Sequence, residues 1–294
     1  MIRKIFVPNK KVGSFSLPAL GLGTYKMGGV KRRDFDNDDK RDIRAIKTAL
    51  KLGYTHIDTA ERYAGGHAER LIGIAMKKFK REKIYITSKV YSNHLKYDAV
   101  IRAAKRSLER LGTSYIDQYL IHHPNPKISL KQTMRAMDFL YEEGMIKHIG
   151  VSNFDTPLIQ EAQSCTKYKI VNNQINYNLS ARGYEENGTL DYCKKHKILV
   201  TAYRPICHGA FAEGTFPLLA EIAEKYKKSQ AQIAIAWLVS KPNIVTIAKA
   251  TSKKYLKENI QAALLRLSRA DIKKLDNEFP RGETMYLPQR RNKR

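Results

Sequence analysis

The feature that most constrains this chain is an alternation. Short apolar, β-branched runs recur eight times, at 17–23, 55–59, 84–89, 115–122, 146–152, 171–177, 198–203 and 244–248. Amphipathic helical stretches follow them, at 40–52, 67–79, 97–111, 129–143, 155–164, 185–196, 216–240 and 252–265. Runs that are apolar throughout belong to strands covered on both faces, which marks a parallel sheet. Eight such units either close as a barrel or lie open as a doubly wound sheet. The open sheet that holds a dinucleotide carries G-x-G-x-x-G after its first strand. Here that position reads Gly21-Leu22-Gly23-Thr24 and then Tyr25. The expected fold is therefore α/β, a (β/α)8 TIM barrel, and the 294 residues suit one barrel domain over 1–294. Residues 2–15 predict an N-terminal β-hairpin capping the barrel floor, with its turn at 9–13. The segment after Asp271 predicts an extra C-terminal helix, followed by a basic tail at 289–294.

Charge balance narrows the partners. Lys and Arg number 54 against 28 Asp and Glu, a net charge of +26. Such a field attracts anions. The basic residues are spread from Arg3 to Arg294 rather than gathered in one stripe, and runs such as 77–81 read as solvated helix ends. This predicts no specific nucleic-acid surface; steeply salt-dependent DNA binding would argue otherwise. Cys165, Cys193 and Cys207 lack C-x-x-C spacing, so neither a disulfide framework nor a zinc site is expected. The start lacks the apolar core of a signal peptide, and no apolar run matches a bilayer span. A cytoplasmic protein that avoids membranes is expected, as a monomer or weak homo-oligomer.

The strand ends break the apolar rule. They carry Asp58 and Thr59, Lys89, His122, Ser152 and Asn153, Gln174 and Asn176, Tyr203, and Lys249. In a barrel these ends form one mouth, where chemistry sits. Each alone reads as a satisfied structural group; together they would be costly to bury without purpose. Asp58, Tyr63, Lys89 and His122 suggest a general acid. A free phenol has a pKa near ~10, and a nearby lysine favours tyrosinate and lowers it. Asp58 would keep Lys89 charged, and His122 would hydrogen-bond a substrate oxygen. Such an assembly protonates a developing alkoxide. His122 and His123 are adjacent, and neighbours on a strand face opposite ways, so no metal site is expected from them.

At these residues the sequence resembles the aldo-keto reductases, over essentially its whole length. The stretches are GLGTYK at 21–26, GYTHIDTAERYAGGHAE at 53–69, ITSKV at 86–90, YIDQYLIHHP at 115–124, GMIKHIGVSNF at 144–154, NQINYN at 173–178, AYRP at 202–205 and KATSKKYLKEN at 249–259. The resemblance implies an NAD(P)H-dependent reduction of aldehydes or ketones to alcohols. It implies Tyr63 as general acid, Lys89 and Asp58 as the pair that tunes it, and His122 as the residue that orients the carbonyl. Ser152, Asn153 and Gln174 are implied for the nicotinamide carboxamide, and Tyr203 for the ring. Thr24 and Asp58 are implied for the ribose, and Lys249, Glu258 and Asn259 for the adenosine end.

Departures from the family pattern bear on specificity. His123 and Tyr25 stand where many members carry Trp, which changes the walls of the substrate pocket. Arg204 and Ala250 replace common serines. Tyr255 takes the place of an arginine that grips the 2′-phosphate of NADPH. NADPH is the expected cofactor, with NADH open, and Lys253 or Lys254 could substitute as point charges. A non-catalytic, cofactor-binding, redox-sensing subunit of the same fold stays open as an alternative.

Overall fold

Asn9–Val12 (β1) and Phe15–Pro18 (β2) pair antiparallel around Gly13, whose φ of 60° is the left-handed conformation this tight turn needs. The computed structural model describes residues 6–214 and 216–278. Phe15 and Leu17 pack on Val171, Leu199 and Val245 and close the barrel floor.

The barrel strands are Leu20–Gly23 (β3), His56–Asp58 (β4), Tyr85–Val90 (β5), Gln118–Ile121 (β6), Ile149–Ser152 (β7), Ile170–Asn176 (β8), Leu199–Tyr203 (β9) and Ile244–Ala248 (β10). Each pairs in parallel with the next. β10 returns to β3, with Thr246 opposite Leu20, and the sheet closes. Closure leaves no unpaired edge among these strands.

The main helices of the outer ring are Asp39–Leu52 (α1), His67–Met76 (α2), Tyr97–Leu111 (α3), Leu130–Glu142 (α4) and Thr156–Ser164 (α5). Local sequence explains their limits. In α1 the Asp38 side chain accepts from the Arg41 amide at 2.8 Å, and Gly53 ends the helix at φ 113°. Its buried stripe is Ala45, Ile46, Ala49 and Leu50, the spacing of one helix face against a sheet. Inside the barrel, some buried polar side chains satisfy one another. Asn172 Nδ2 donates to the Leu199 carbonyl at 3.0 Å and to Thr201 Oγ1 at 2.9 Å.

The predicted hairpin exists, but it lies at 9–18, so the run at 17–23 divides at Ala19 between hairpin and barrel. The stretch at 185–196 forms two short helices, Gly183–Glu186 (α6) and Thr189–Lys195 (α7). Ala210–Glu213 (α8) adds a further short helix after β9. The single helix expected at 216–240 is two, Pro217–Lys225 (α9) and Gln230–Ser240 (α10). Lys227 sits at φ 52°, and Ser229 opens α10 with a reciprocal capping box to Gln232. That Ser-x-x-Gln signature stood in the sequence, hidden by continuous apolar spacing.

Lys253–Leu264 (α11) completes the ring, and the extra helix is Arg269–Glu278 (α12). It docks through Asp276, whose Oδ1 accepts from Trp237 Nε1 at 2.9 Å and whose carbonyl accepts from Arg182 at 2.9 Å. The basic tail at 289–294 lies outside the described residues. Among the described residues no helix is long and apolar enough to cross a membrane.

Candidate active site

Strand ends converge on one cleft at the C-terminal face of the barrel, with a volume of about 1370 Å³. Asp58, Tyr63, His122, His123, Ser152, Asn153, Gln174 and Tyr203 line its centre, and Lys249, Glu258 and Asn259 its far end. Tyr25 lines the outer wall, its ring 5.2 Å from that of Tyr63. Two predicted residues lie behind the wall. Lys89 is fully buried, and Thr24 is fully buried with its Oγ1 donating to the Asp58 carbonyl at 2.9 Å.

Tyr63 follows β4 on a sharp turn. Ala64, Gly65 and Gly66 all have positive φ, at 51°, 63° and 90°. A Cβ on Gly66 would stand 2.5 Å from Arg110 Nε, so glycine is required there. The turn begins at Tyr63, which lines the cleft.

Lys89, from β5, uses all three of its N–H donors. Nζ donates to Asp58 Oδ1 at 2.7 Å, to the Thr59 carbonyl at 2.8 Å and to the Tyr63 hydroxyl at 3.3 Å. The second Asp58 oxygen accepts from Gln174 Nε2 at 2.8 Å, which ties β4 to β8 across the barrel. Because the Tyr63 oxygen accepts from Lys89, its own hydrogen is free for a partner in the cleft.

Burial governs the titration of this group. It pushes the Tyr63 hydroxyl well above the ordinary phenol range, and the Asp58 carboxylate adds to the rise. The expectation that Lys89 would bring Tyr63 below its free value is therefore corrected: burial, with Asp58, sets the direction. Burial also pulls Lys89 below the usual lysine value, with Asp58 opposing. His122 is held far below the ordinary imidazole value, by burial first and then by Lys89, His123 and Arg62. A neutral imidazole and a neutral phenol thus face the same space, with ring centroids 5.7 Å apart.

His122 and His123 do not point apart. β6 ends at Ile121, so strand alternation no longer holds, and the two rings stack at 4.9 Å with an interplanar angle of 16°. Asn153, at φ 63°, sets Nδ2 3.0 Å from the His122 carbonyl, His123 Nδ1 and Ser152 Oγ, so its two N–H donors are shared among three neighbours. Tyr203 donates its hydroxyl to Asn153 Oδ1 at 2.8 Å. Among the described residues no group of three or more His, Cys, Asp or Glu side chains could hold a metal ion.

The sequence profile of the Aldo/keto reductase family matches residues 19–278. The chain belongs to the aldo/keto reductase family. Among relatives, it is 35% identical over 272 residues to methylglyoxal reductase YeaE of Escherichia coli, covering 91% of this chain and 93% of that one. It superposes on a thermostable aldo-keto reductase, Tm1743, crystallised with the inhibitor epalrestat, with a TM-score of 0.89. The identity is 44%, and the match covers 92% of this chain and 99% of that one. An aldo-keto reductase from Klebsiella pneumoniae in complex with NADPH matches at TM-score 0.83 and 34% identity, covering 92% and 96%.

In this aldo-keto reductase the cleft fits a nicotinamide cofactor in shape and donor chemistry. It is larger than the ~300–1,000 Å³ of an ordinary ligand pocket. Ser152, Asn153 and Gln174 line one part of it with hydroxyl and amide groups. At the far end Lys249 has no hydrogen-bond or ion-pair partner among the described residues. Burial, Arg41 and Lys26 lower its pKa, and Asp42 opposes them. Lys254 lies beside the exposed ring of Tyr255, at the start of α11, whose Ser252 caps the helix. A vacant cation next to free helix N–H groups suits a phosphate.

Sequence reasoning missed Arg62, Tyr91, Lys31 and His208, all of which line the cleft. The only signal for Arg62 and Tyr91 was proximity, one residue before Tyr63 and two after Lys89.

Proposed function

We propose that this chain, acting as one catalytic domain, reduces small aldehydes and ketones to alcohols with NADPH, with Tyr63 as general acid. The observation that carries the reading is the Tyr63 hydroxyl, kept neutral, accepting from a lysine paired to Asp58 and free to donate into the cleft. When bound, the reduced nicotinamide supplies the hydride that reaches the carbonyl carbon. Tyr63 gives its proton to the carbonyl oxygen as negative charge develops there. Lys89 stabilises the phenolate left behind, and Asp58 holds Lys89 in position. His122 directs a neutral donor at the same oxygen. Ser152, Asn153 and Gln174 grip the carboxamide, and Tyr203 supports the ring. Thr24 supports Asp58 from behind.

The activity named for the Escherichia coli relative supports a small carbonyl substrate, and the NADPH complex of the Klebsiella relative supports that cofactor. Lys249 and Lys254 would bind the 2′-phosphate in place of the arginine absent at Tyr255, and Glu258 and Asn259 the adenosine. The intact set of Asp58, Tyr63, Lys89 and His122 favours turnover over a purely sensing role. The test is cofactor oxidation with methylglyoxal and 4-nitrobenzaldehyde, using NADPH and NADH separately. Cofactor-dependent turnover is expected. Binding of cofactor with no turnover of any aldehyde or ketone would favour the sensing subunit instead.

A further inference from the structure

The cleft carries, beside Tyr63, a guanidinium with no carboxylate partner among the described residues. Arg62 lines the cleft next to Tyr63, and its charge contributes to the depressed pKa of His122. Its Nη1 donates to the Lys31 carbonyl at 2.9 Å, and its guanidinium stacks over the Tyr91 ring at 4.8 Å. The loop supplying that carbonyl is itself anchored, because the Ala64 amide donates to the Val30 carbonyl at 2.9 Å. Of the five N–H donors of arginine, this is the one bond made to the described residues.

The nearest acid in sequence does not neutralise it. Glu61 Oε1 accepts from the Tyr91 amide at 2.6 Å and contacts His94 Nδ1 at 3.0 Å. No carboxylate pairs with Arg62 or with Lys31 among the described residues, although Lys31 lines the same wall. A guanidinium oriented by a stack and a hydrogen bond, with its fork open, is built for a bidentate oxyanion. Among the described residues it has no carboxylate partner, and it lines the same cleft as Tyr63 and His122.

Resting on the proposed carbonyl reduction, we propose that Arg62, with Lys31 beside it, is a specificity-determining anion subsite. It selects aldehydes or ketones that bear a second, negatively charged group, a carboxylate or a phosphate. The carbonyl sits between Tyr63 and His122, and the anion reaches Arg62. Reduction is unaltered in balance: the carbonyl gains hydride and proton, and the anionic group takes no part in bond making.

The test compares matched substrates in the wild type, Arg62→Met and Arg62→Lys. One pair is 4-oxobutanoate against butanal; the other is glyceraldehyde 3-phosphate against glyceraldehyde. Losing one bidentate charged contact is expected to lower the charged-to-neutral ratio of kcat/KM by about 10- to 100-fold in Arg62→Met, mostly through KM. Arg62→Lys should recover part of it. The pair with the larger wild-type ratio identifies carboxylate or phosphate. A wild-type ratio near unity for both pairs, or a ratio unmoved by Arg62→Met, would overturn the proposal. Calorimetric titration of 4-oxobutanoate and of glyceraldehyde 3-phosphate separates the two readings. Arg62-dependent binding of either without turnover of any carbonyl would keep the subsite and sink the reduction. If neither turnover nor Arg62-dependent binding appears, the subsite is overturned as well.

Discussion

Lys89 Nζ lies 2.7 Å from Asp58 Oδ1, and both side chains are excluded from water. Taking two charges out of solvent is costly, and breaking one partner leaves the other stranded. The pair is retained at the one place where an ammonium can touch the Tyr63 hydroxyl. Lys89→Met should therefore lower kcat strongly. It should also move the alkaline limb of the pH–rate profile to higher pH. The acid is active when protonated, and removing the positive neighbour raises its pKa further. An unchanged rate and profile in Lys89→Met would make Lys89 structural.

Tyr63→Phe removes the proposed proton donor and leaves the ring in place. Turnover should fall by roughly 10²-fold or more, while NADPH binding, followed by nucleotide fluorescence, persists. Near-wild-type kcat in this variant would refute Tyr63 as the acid.

On the proposed reading, cofactor choice depends on the far end of the cleft. Lys249 and Lys254 supply point charges without the fork of an arginine, so the wild type should favour NADPH, and Tyr255→Arg should favour it more. The check is kcat/KM for both cofactors in both proteins. A wild type that prefers NADH would show that these lysines do not read the 2′-phosphate.

His56 offers a stability test two residues before Asp58 on β4. It is fully buried in the lower barrel, its Nε2 is 3.0 Å from Thr87 Oγ1, and burial lowers its pKa to about 4. Above the ordinary histidine pKa, near ~6.5, both folded and unfolded forms are neutral and no penalty exists. Below it the unfolded chain takes up a proton that the native state refuses. Stability is therefore lost as pH falls from about 6.5 to about 4, by on the order of 3 kcal/mol at full effect. Denaturant unfolding across this range should show a shallower acid loss in His56→Gln than in the wild type. Parallel curves would assign the acid loss to other groups.

The sequence by itself determined the barrel and the chemical inventory. Alternating apolar runs and helical stripes are local properties, read from spacing alone, and they yielded all eight strands. Asp58, Lys89 and His122 were legible because polar residues at the ends of buried strands conflict with the surrounding pattern, and Tyr63 from its place in the turn just after one of them and from the family resemblance. Tertiary structure decided what those residues face. Gln174 reaches Asp58 only because β4 and β8 stand across a closed barrel. His122 and His123 stack because β6 stops one residue early. The rise in the Tyr63 pKa comes from desolvation, which belongs to the assembled interior and to no stretch of sequence. Arg62 was one basic residue among 54 until folding engaged Glu61 elsewhere and left the guanidinium open in the cleft. Local pattern records which groups a strand or turn carries; burial and pairing are relations between distant segments, and they exist only once the chain has closed on itself.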